Sequence, residues 1–167
     1  MKKDIIIFLT MSVMYVFIEV FVTAIFGEMV SYYGTKQISM IGFSSVYMCV
    51  IGGFLGCLLG KFNEINFIKC NINLFFQSVI GMIIITLFEL ISGYILNIKL
   101  GFRLWDYSEY PINFIGQISL FRSILWFLIC PLVFWFDDSI RSIFLNKTIK
   151  ESLWSFYKKT FKFQKIS

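Results

Sequence analysis

Four long apolar runs limit the possible folds of this chain more than any other feature. Short polar stretches separate them, and they cover residues 5–26, 38–60, 74–96 and 112–136. About 20 consecutive apolar residues form a helix that is long enough to cross the hydrocarbon core of a bilayer. Only 15% of the residues are charged, against about a quarter in soluble domains. The sequence therefore predicts an all-α polytopic membrane protein with four transmembrane helices at these positions.

The first run has one feature of a secretory signal, because it follows the basic start Met1-Lys2-Lys3-Asp4. Val22-Thr23-Ala24 also loosely resembles a cleavage site. However, the run is longer than the apolar core of a usual signal peptide and carries Glu19 within it. We therefore expect a retained transmembrane helix.

The last part of the chain, residues 137–167, is basic and aromatic. Its larger apolar residues fall near helical spacing, with lysines between or beside them; they are Ile140, Phe144, Ile149, Leu153, Phe156 and Tyr157. This pattern predicts an amphipathic helix at the membrane interface, and the alternative is a disordered basic tail. We accordingly divide the chain into a transmembrane domain, residues 1–136, and a cytoplasmic tail, residues 137–167.

The distribution of lysine and arginine predicts the orientation in the cell membrane. With both termini on one side, that side carries eleven of these residues outside the apolar runs and the other side carries three. The positive-inside rule then places both termini in the cytoplasm and the loop around Trp105 outside. Because most of the +5 net charge lies in the tail, we expect it to contact anionic lipids of the bilayer rather than nucleic acid.

Several kinds of chemistry are not expected from this composition. The chain has no histidine, so the common zinc sites and histidine bases are absent. It has no G-x-x-x-x-G-K-[ST] phosphate loop, so we expect no ATPase site in this chain. The four cysteines, of which three lie in apolar runs, are expected to pack as small apolar side chains; they are Cys49, Cys57, Cys70 and Cys130. We predict no cofactor and no metal.

The second run carries small residues at two helical spacings of four. Gly52, Gly56 and Gly60 form one row, and the other consists of Ser45, Cys49, Gly53 and Cys57. Glycines spaced by four lie on one helix face and allow a neighbouring backbone to approach closely, which is how helices commonly associate in lipid. The pattern predicts a close helix contact, either within the chain or between two copies of it.

Three ionisable residues lie inside the apolar runs, namely Glu19, Glu89 and Arg122. An ionisable group at bilayer depth costs several kcal/mol, so it usually faces other helices and finds a partner. Because Glu89 and Arg122 fall at similar depths in the predicted topology, we expect them to form an ion pair. That pair could be structural, or it could belong to a site for a substrate group or a coupling ion.

The loop between the third and fourth runs combines aromatic and charged residues. Trp105 and Tyr107 flank Asp106, a composition typical of the headgroup level. We expect Pro111 to open the fourth helix, with Ser108 or Asp106 as its cap. Asp106 could instead contact a ligand, or converge with Glu89 as a pair of acids. Pro131 is expected to kink or locally break the fourth helix.

Several short segments resemble the bacterial CmpB-type "putative ABC transporter permease" family and its small vertebrate transmembrane relatives. The matching segments are Glu19-Val-Phe-Val-Thr23, Gly42-Phe-Ser44-Ser45-Val-Tyr47, Glu89-Leu-Ile-Ser-Gly93, Trp105-Asp106-Tyr107-Ser108, Asn113-Phe114-Ile-Gly116 and Trp126. The resemblance covers roughly residues 15–127 and excludes the tail. It implies a transporter subunit of unknown substrate, with five signature positions: Glu19, Glu89, Trp105, Asp106 and Tyr107. Together with Arg122, these are the six candidates for a substrate or ion site.

Three functions remain open at this stage. The resemblance favours a permease subunit, while the glycine rows alone would equally suit a non-catalytic assembly or regulatory subunit. A membrane-embedded enzyme that acts on a lipid-like substrate is the third and least favoured hypothesis. The predicted internal loop, residues 61–73, shows no ATPase-docking motif, and four helices enclose little transport path. A permease would therefore need an ATPase, a second membrane subunit or a homo-oligomer.

Overall fold

A computed structural model of the chain describes residues 2–26, 42, 44–65, 68, 71–145 and 151–165. Four helices are long and apolar enough to cross a membrane, which confirms the predicted all-α membrane class. They are α1 (Lys2–Phe26), α2 (Val46–Asn63), α3 (Leu74–Gly93) and α4 (Leu120–Leu145). A π-helical turn (Tyr94–Lys99) extends α3, and a shorter helix, α5 (Leu153–Phe161), follows α4. The only strands in the described residues are β1 (Asn113–Phe114) and β2 (Ile118–Ser119), which pair antiparallel.

Some residues used in the sequence analysis lie outside the described part of the chain. They are Met1, Cys70, Ile149 and four of the lysines that were counted for the orientation, namely Lys36, Lys69, Lys147 and Lys150. The described chain forms two compact units, residues 1–57 and residues 58–167, and the boundary falls inside α2. The first unit contains α1 and the start of α2, and all later elements belong to the second.

In the first unit, the glycines of α2 contact α1. A Cβ atom at Gly52 would collide with the side chain of Tyr15, and one at Gly56 would lie 2.5 Å from Met11 Cγ. Phe8 and Phe54 pack edge to face nearby, with ring centres 5.3 Å apart. These two glycines therefore serve a helix contact within the chain.

In the second unit, α3 packs against α4 through small and aromatic residues. A Cβ atom at Gly81 would lie 2.8 Å from Cys130 Sγ and 3.3 Å from the Phe134 ring. Cys130 and Phe134 are both fully buried. Nearby, the hydroxyls of Thr86 and Ser123 are 3.1 Å apart and share a hydrogen bond.

The fourth membrane helix begins later than we predicted. Residues 113–119 form the β1–β2 hairpin, so Pro111 does not open a helix. Gly116 adopts a left-handed conformation (φ +69°), which glycine tolerates without strain. Asn113 Oδ1 accepts the Gly116 N–H at 3.1 Å and closes the turn. Local turn chemistry therefore prevails over the apolar composition of this stretch.

The other end of the fourth helix also differs from the prediction. The helix continues through Pro131 and past residue 136 to Leu145, so Ile140 and Phe144 belong to α4 rather than to a tail helix. The division of the chain at residue 136 stays a prediction.

In the second run, the described helix begins at Val46 instead of residue 38, and residues 38–41 and 43 lie outside the described part.

The amphipathic helix of the tail is α5. Ser152 Oγ caps it by accepting the Ser155 N–H at 3.3 Å. One face of α5 is buried through Phe156 and Thr160, whereas Trp154 is 68% exposed. After α5, the Gln164 carbonyl accepts the Leu74 N–H at 2.9 Å, which connects the end of the described chain to the start of α3.

Candidate functional site

Glu89 of α3 is the centre of a polar network, and it lies within a helix that is long and apolar enough to cross a membrane. Its side chain is buried, and its Oε1 accepts the Tyr107 hydroxyl at 2.8 Å. Its Oε2 accepts Trp126 Nε1–H of α4 at 3.1 Å. Hydrogen bonds to a carboxylate are stronger than those between neutral groups. The carboxylate therefore joins α3, α4 and the loop between them through two neutral donors.

Arg122 lies one turn before Trp126, near the start of α4. The carbon of its guanidinium is 5.2 Å from the centre of the Tyr107 ring, within the range of a cation–π interaction. The described residues contain no ion pair between Glu89 and Arg122, so the predicted pair is replaced by contacts of both residues with Tyr107. Arg122 Nε is buried and has no hydrogen-bond partner among the described residues.

Tyr107 is held by its backbone as well as by its hydroxyl. Its N–H donates to the Gly116 carbonyl at 2.8 Å. Its ring contacts Tyr110 edge to face at 5.9 Å, and the Tyr110 ring stacks on Phe121 at 5.7 Å. An aromatic surface therefore adjoins the Arg122 guanidinium.

Asn97 of the π-helical turn organises the loop behind this network. Its Oδ1 accepts the Leu104 N–H at 2.7 Å. Its Nδ2 donates to the Trp105 carbonyl at 3.0 Å and to Gln117 Oε1 at 2.8 Å. The Trp105 indole in turn donates to the Gln117 carbonyl at 3.0 Å. Trp105 therefore anchors the loop, a role that the sequence analysis did not assign to it.

Asp106 closes a tight turn at the surface. Its Oδ1 accepts both the backbone N–H and the hydroxyl of Ser108, at 2.9 Å and 2.5 Å. These two hydrogen bonds lower the pKa of Asp106 below its usual value, and the charge of Arg103 contributes further. Glu89 binds Tyr107 and Trp126, whereas Asp106 binds Ser108, so these hydrogen bonds do not bring the two acids together as a pair.

We expect the turn at Asp106 to loosen in acid. Because the folded-state pKa is lowered, ionisation stabilises the turn fully above the ordinary value of 3.8, and the stabilisation is lost as the pH falls through the lowered pKa. Hydrogen exchange at the Ser108 amide should accelerate relative to neighbouring loop amides over that range. In Asp106→Asn, the acid-dependent component should disappear, and a pH profile identical to that of the unsubstituted protein would contradict this assignment.

The remaining predicted residues lie elsewhere. Glu19 belongs to the first unit, where its Oε2 accepts the Ser44 hydroxyl at 2.5 Å. Gly52 and Gly56 face α1, and Gly60 faces Asp137 of α4. The network around Glu89 therefore includes three of the six predicted site residues: Glu89, Tyr107 and Arg122.

The sequence analysis missed three residues that build this site. Trp126 contributed only to the family resemblance, and Asn97 and Gln117 were not considered. Asn97 and Gln117 are each less than a tenth exposed, and buried amides need hydrogen-bond partners. A search for polar side chains at the ends of apolar runs could have found Asn97, because it lies just after the third run.

Comparison with known proteins gives one family. The family model described as "Putative ABC-transporter type IV" matches residues 6–156 of the chain. No curated protein and no solved structure matches the chain significantly.

Proposed function

Because the chain belongs to the CmpB family of type IV ABC-transporter proteins, we propose that it is a permease subunit whose Arg122 binds an anionic group of the substrate. The observation that supports this proposal is that Arg122 Nε is buried and has no hydrogen-bond partner among the described residues. A buried guanidinium N–H without an acceptor is costly, since buried polar groups are normally hydrogen-bonded. A carboxylate or phosphate oxygen would supply that acceptor.

The neighbouring carboxylate supports this assignment. Both oxygens of Glu89 already accept side-chain hydrogen bonds, from Tyr107 and Trp126. Tyr107 also presents its ring to the guanidinium. Glu89 therefore acts as a positioning residue that fixes Tyr107, and Arg122 remains available to a ligand.

The surroundings of Arg122 favour an amphiphilic anion. Arg122 lies in the first turn of α4, where the positive end of the helix dipole attracts negative charge. Phe121 is 39% exposed and stacks on Tyr110, so an apolar surface lies beside the charge. A substrate with one anionic group and an apolar part would contact both.

Transport coupled to ATP hydrolysis requires a second protein, because this chain has no phosphate loop. We propose that the protein lies in the cell membrane with both termini in the cytoplasm and associates there with an ATPase. Gentle extraction of the tagged protein from native membranes, followed by mass spectrometry, should recover an ATPase in stoichiometric amount. Recovery of the protein without any ATPase or second membrane subunit would count against the permease assignment.

Substitution of Arg122 tests the substrate contact directly. Small molecules and lipids that copurify with the unsubstituted full-length protein should include an anionic species. That species should be at least about tenfold less abundant in Arg122→Gln, because one charge-assisted hydrogen bond contributes about 1.5–3 kcal/mol. Arg103→Gln is the matched control, since it removes an exposed arginine that lies in the loop before β1 and outside the network around Glu89. Equal recovery of every anionic species in both variants would contradict the proposal.

The structure gives less support to an assembly subunit. That hypothesis relied on a glycine row free to contact a partner, and Gly52 and Gly56 contact α1 of the same chain. A homo-oligomer would have to use another surface.

A further inference from the structure

Outside the site around Glu89, the second unit contains a compact acidic cluster. Glu64 follows the last residue of α2, and Asp137 and Asp138 lie in the last third of α4. One oxygen atom from each of the three carboxylates lies within 4.8 Å of the other two. From this cluster we infer that the protein binds a divalent metal ion of the hard, oxygen-preferring class, such as Mg²⁺ or Ca²⁺, between α2 and α4.

Two buried oxygen atoms support the inference in addition to the cluster of carboxylates. Asn63 and Asp137 are both fully buried, and the Oδ1 atom of each has no hydrogen-bond partner among the described residues. Asn63 belongs to the same cluster, because its Nδ2 donates to Asp138 Oδ1 at 3.5 Å. Buried oxygens without partners cost free energy. A bound cation would satisfy both.

Among the described residues, the cation that pairs with Asp137 leaves Oδ1 of this carboxylate available. Arg141 Nε donates to Asp137 Oδ2 at 2.7 Å, one helical turn along α4. The ion pair fixes the orientation of the carboxylate and leaves Oδ1 on the other side of the group. Asp137 therefore combines an anchored oxygen with an unpartnered one.

Gly60 provides the space that Asp137 occupies. A Cβ atom at this position would collide with Asp137 Oδ1 and would lie 2.8 Å from the carboxyl carbon. Only a glycine allows the buried carboxylate to approach α2 so closely. Gly60, the last glycine of the row predicted from sequence, therefore leaves space for a carboxylate, whereas Gly52 and Gly56 leave space for side chains of α1.

The donor atoms indicate the class of metal. The candidate ligands are three carboxylates and one amide oxygen, from Glu64, Asp137, Asp138 and Asn63. Mg²⁺ and Ca²⁺ prefer such oxygen ligands and complete their coordination with water, whereas zinc and copper favour histidine and cysteine. The sequence predicted no metal site, because these acids fall in segments that we assigned to a loop and to the tail.

Binding of Mn²⁺ to the purified full-length protein tests the site. After treatment with EDTA, titration followed by electron paramagnetic resonance should show one saturable Mn²⁺ site, and Mg²⁺ or Ca²⁺ should displace the ion. Asp137→Asn should weaken Mn²⁺ binding at least about tenfold, since it removes a charged ligand. Glu109→Gln is the matched control, because it removes an exposed carboxylate outside the cluster. Absence of saturable binding in the unsubstituted protein, or equal binding in Asp137→Asn, would overturn the inference.

A second variant keeps the test decisive if Asp137→Asn does not fold. Asn63→Asp adds a charged oxygen to a metal site but adds only repulsion to a purely structural cluster. We expect tighter Mn²⁺ binding in Asn63→Asp, together with a larger rise of its unfolding temperature on addition of Mg²⁺ than in the unsubstituted protein. Weaker binding and no effect of Mg²⁺ would overturn the inference. The measurement involves no transport, so its outcome is independent of the proposed function.

Discussion

Replacement of Glu89 by alanine is expected to lower the free energy of unfolding by roughly 2–6 kcal/mol, because one buried and one half-buried donor lose their acceptor at about 1–3 kcal/mol each. The two donors are the Tyr107 hydroxyl and the Trp126 indole N–H. They come from the loop and from α4, so the loss should loosen the contact of both with α3. Thermal unfolding of the purified protein in detergent would measure the effect.

Two further variants separate the contributions within this network. Tyr107→Phe retains the ring under Arg122 and removes one hydrogen bond to a charged group, so we expect a loss of about 1.5–3 kcal/mol. Glu109→Ala removes an exposed carboxylate and should change stability by less than about 0.5 kcal/mol. An unfolding temperature of Glu89→Ala equal to that of Glu109→Ala would show that the hydrogen bonds of Glu89 do not stabilise the fold.

Replacement of Gly56 by leucine is expected to be the most damaging change in the first unit. A Cβ atom alone would already collide with Met11 of α1, and the remaining atoms of leucine have no space to occupy. Overpacking of a close contact typically costs about 1–3 kcal/mol and occasionally more. We therefore expect a marked decrease of the unfolding temperature in detergent, with a smaller decrease in Gly56→Ala.

Val50→Leu is a suitable comparison on the same helix, because Val50 is 47% exposed and can enlarge without a collision. Its unfolding temperature should remain close to that of the unsubstituted protein. Light scattering should be measured alongside stability. If Gly56→Leu retained its stability and only changed the oligomeric state, the glycine contact would be between copies of the chain and not with α1.

The membrane class could be predicted because it depends on the length and apolarity of segments, which are local properties. The importance of Glu89 could be predicted for a similar reason, since a carboxylate in an apolar run needs hydrogen-bond or ionic partners on neighbouring elements. Its partners could not, because charge alone suggested Arg122, whereas the hydrogen bonds come from Tyr107 and Trp126. Those donors depend on how the loop folds back on α3, which no single segment encodes.

The start of α4 shows a second limit of the sequence analysis. Pro111 and the apolar residues after it suited a helix, and the hairpin that forms instead depends on Asn113 and Gly116. Turn residues of this kind are visible in a sequence, but apolar residues beside them obscure the signal. The buried cluster around Asp137 was missed because the helix continues nine residues beyond the end of the apolar run.

The hydrogen bond from Leu74 to the Gln164 carbonyl connects positions that are ninety residues apart in the chain. During synthesis, α3 leaves the ribosome well before Gln164 does. The Leu74 amide must therefore rely on water or another acceptor until Gln164 has been synthesised. A chain cut before Gln164 would leave the first amide of α3 without this acceptor, at a helix end where backbone N–H groups have no partner within the helix.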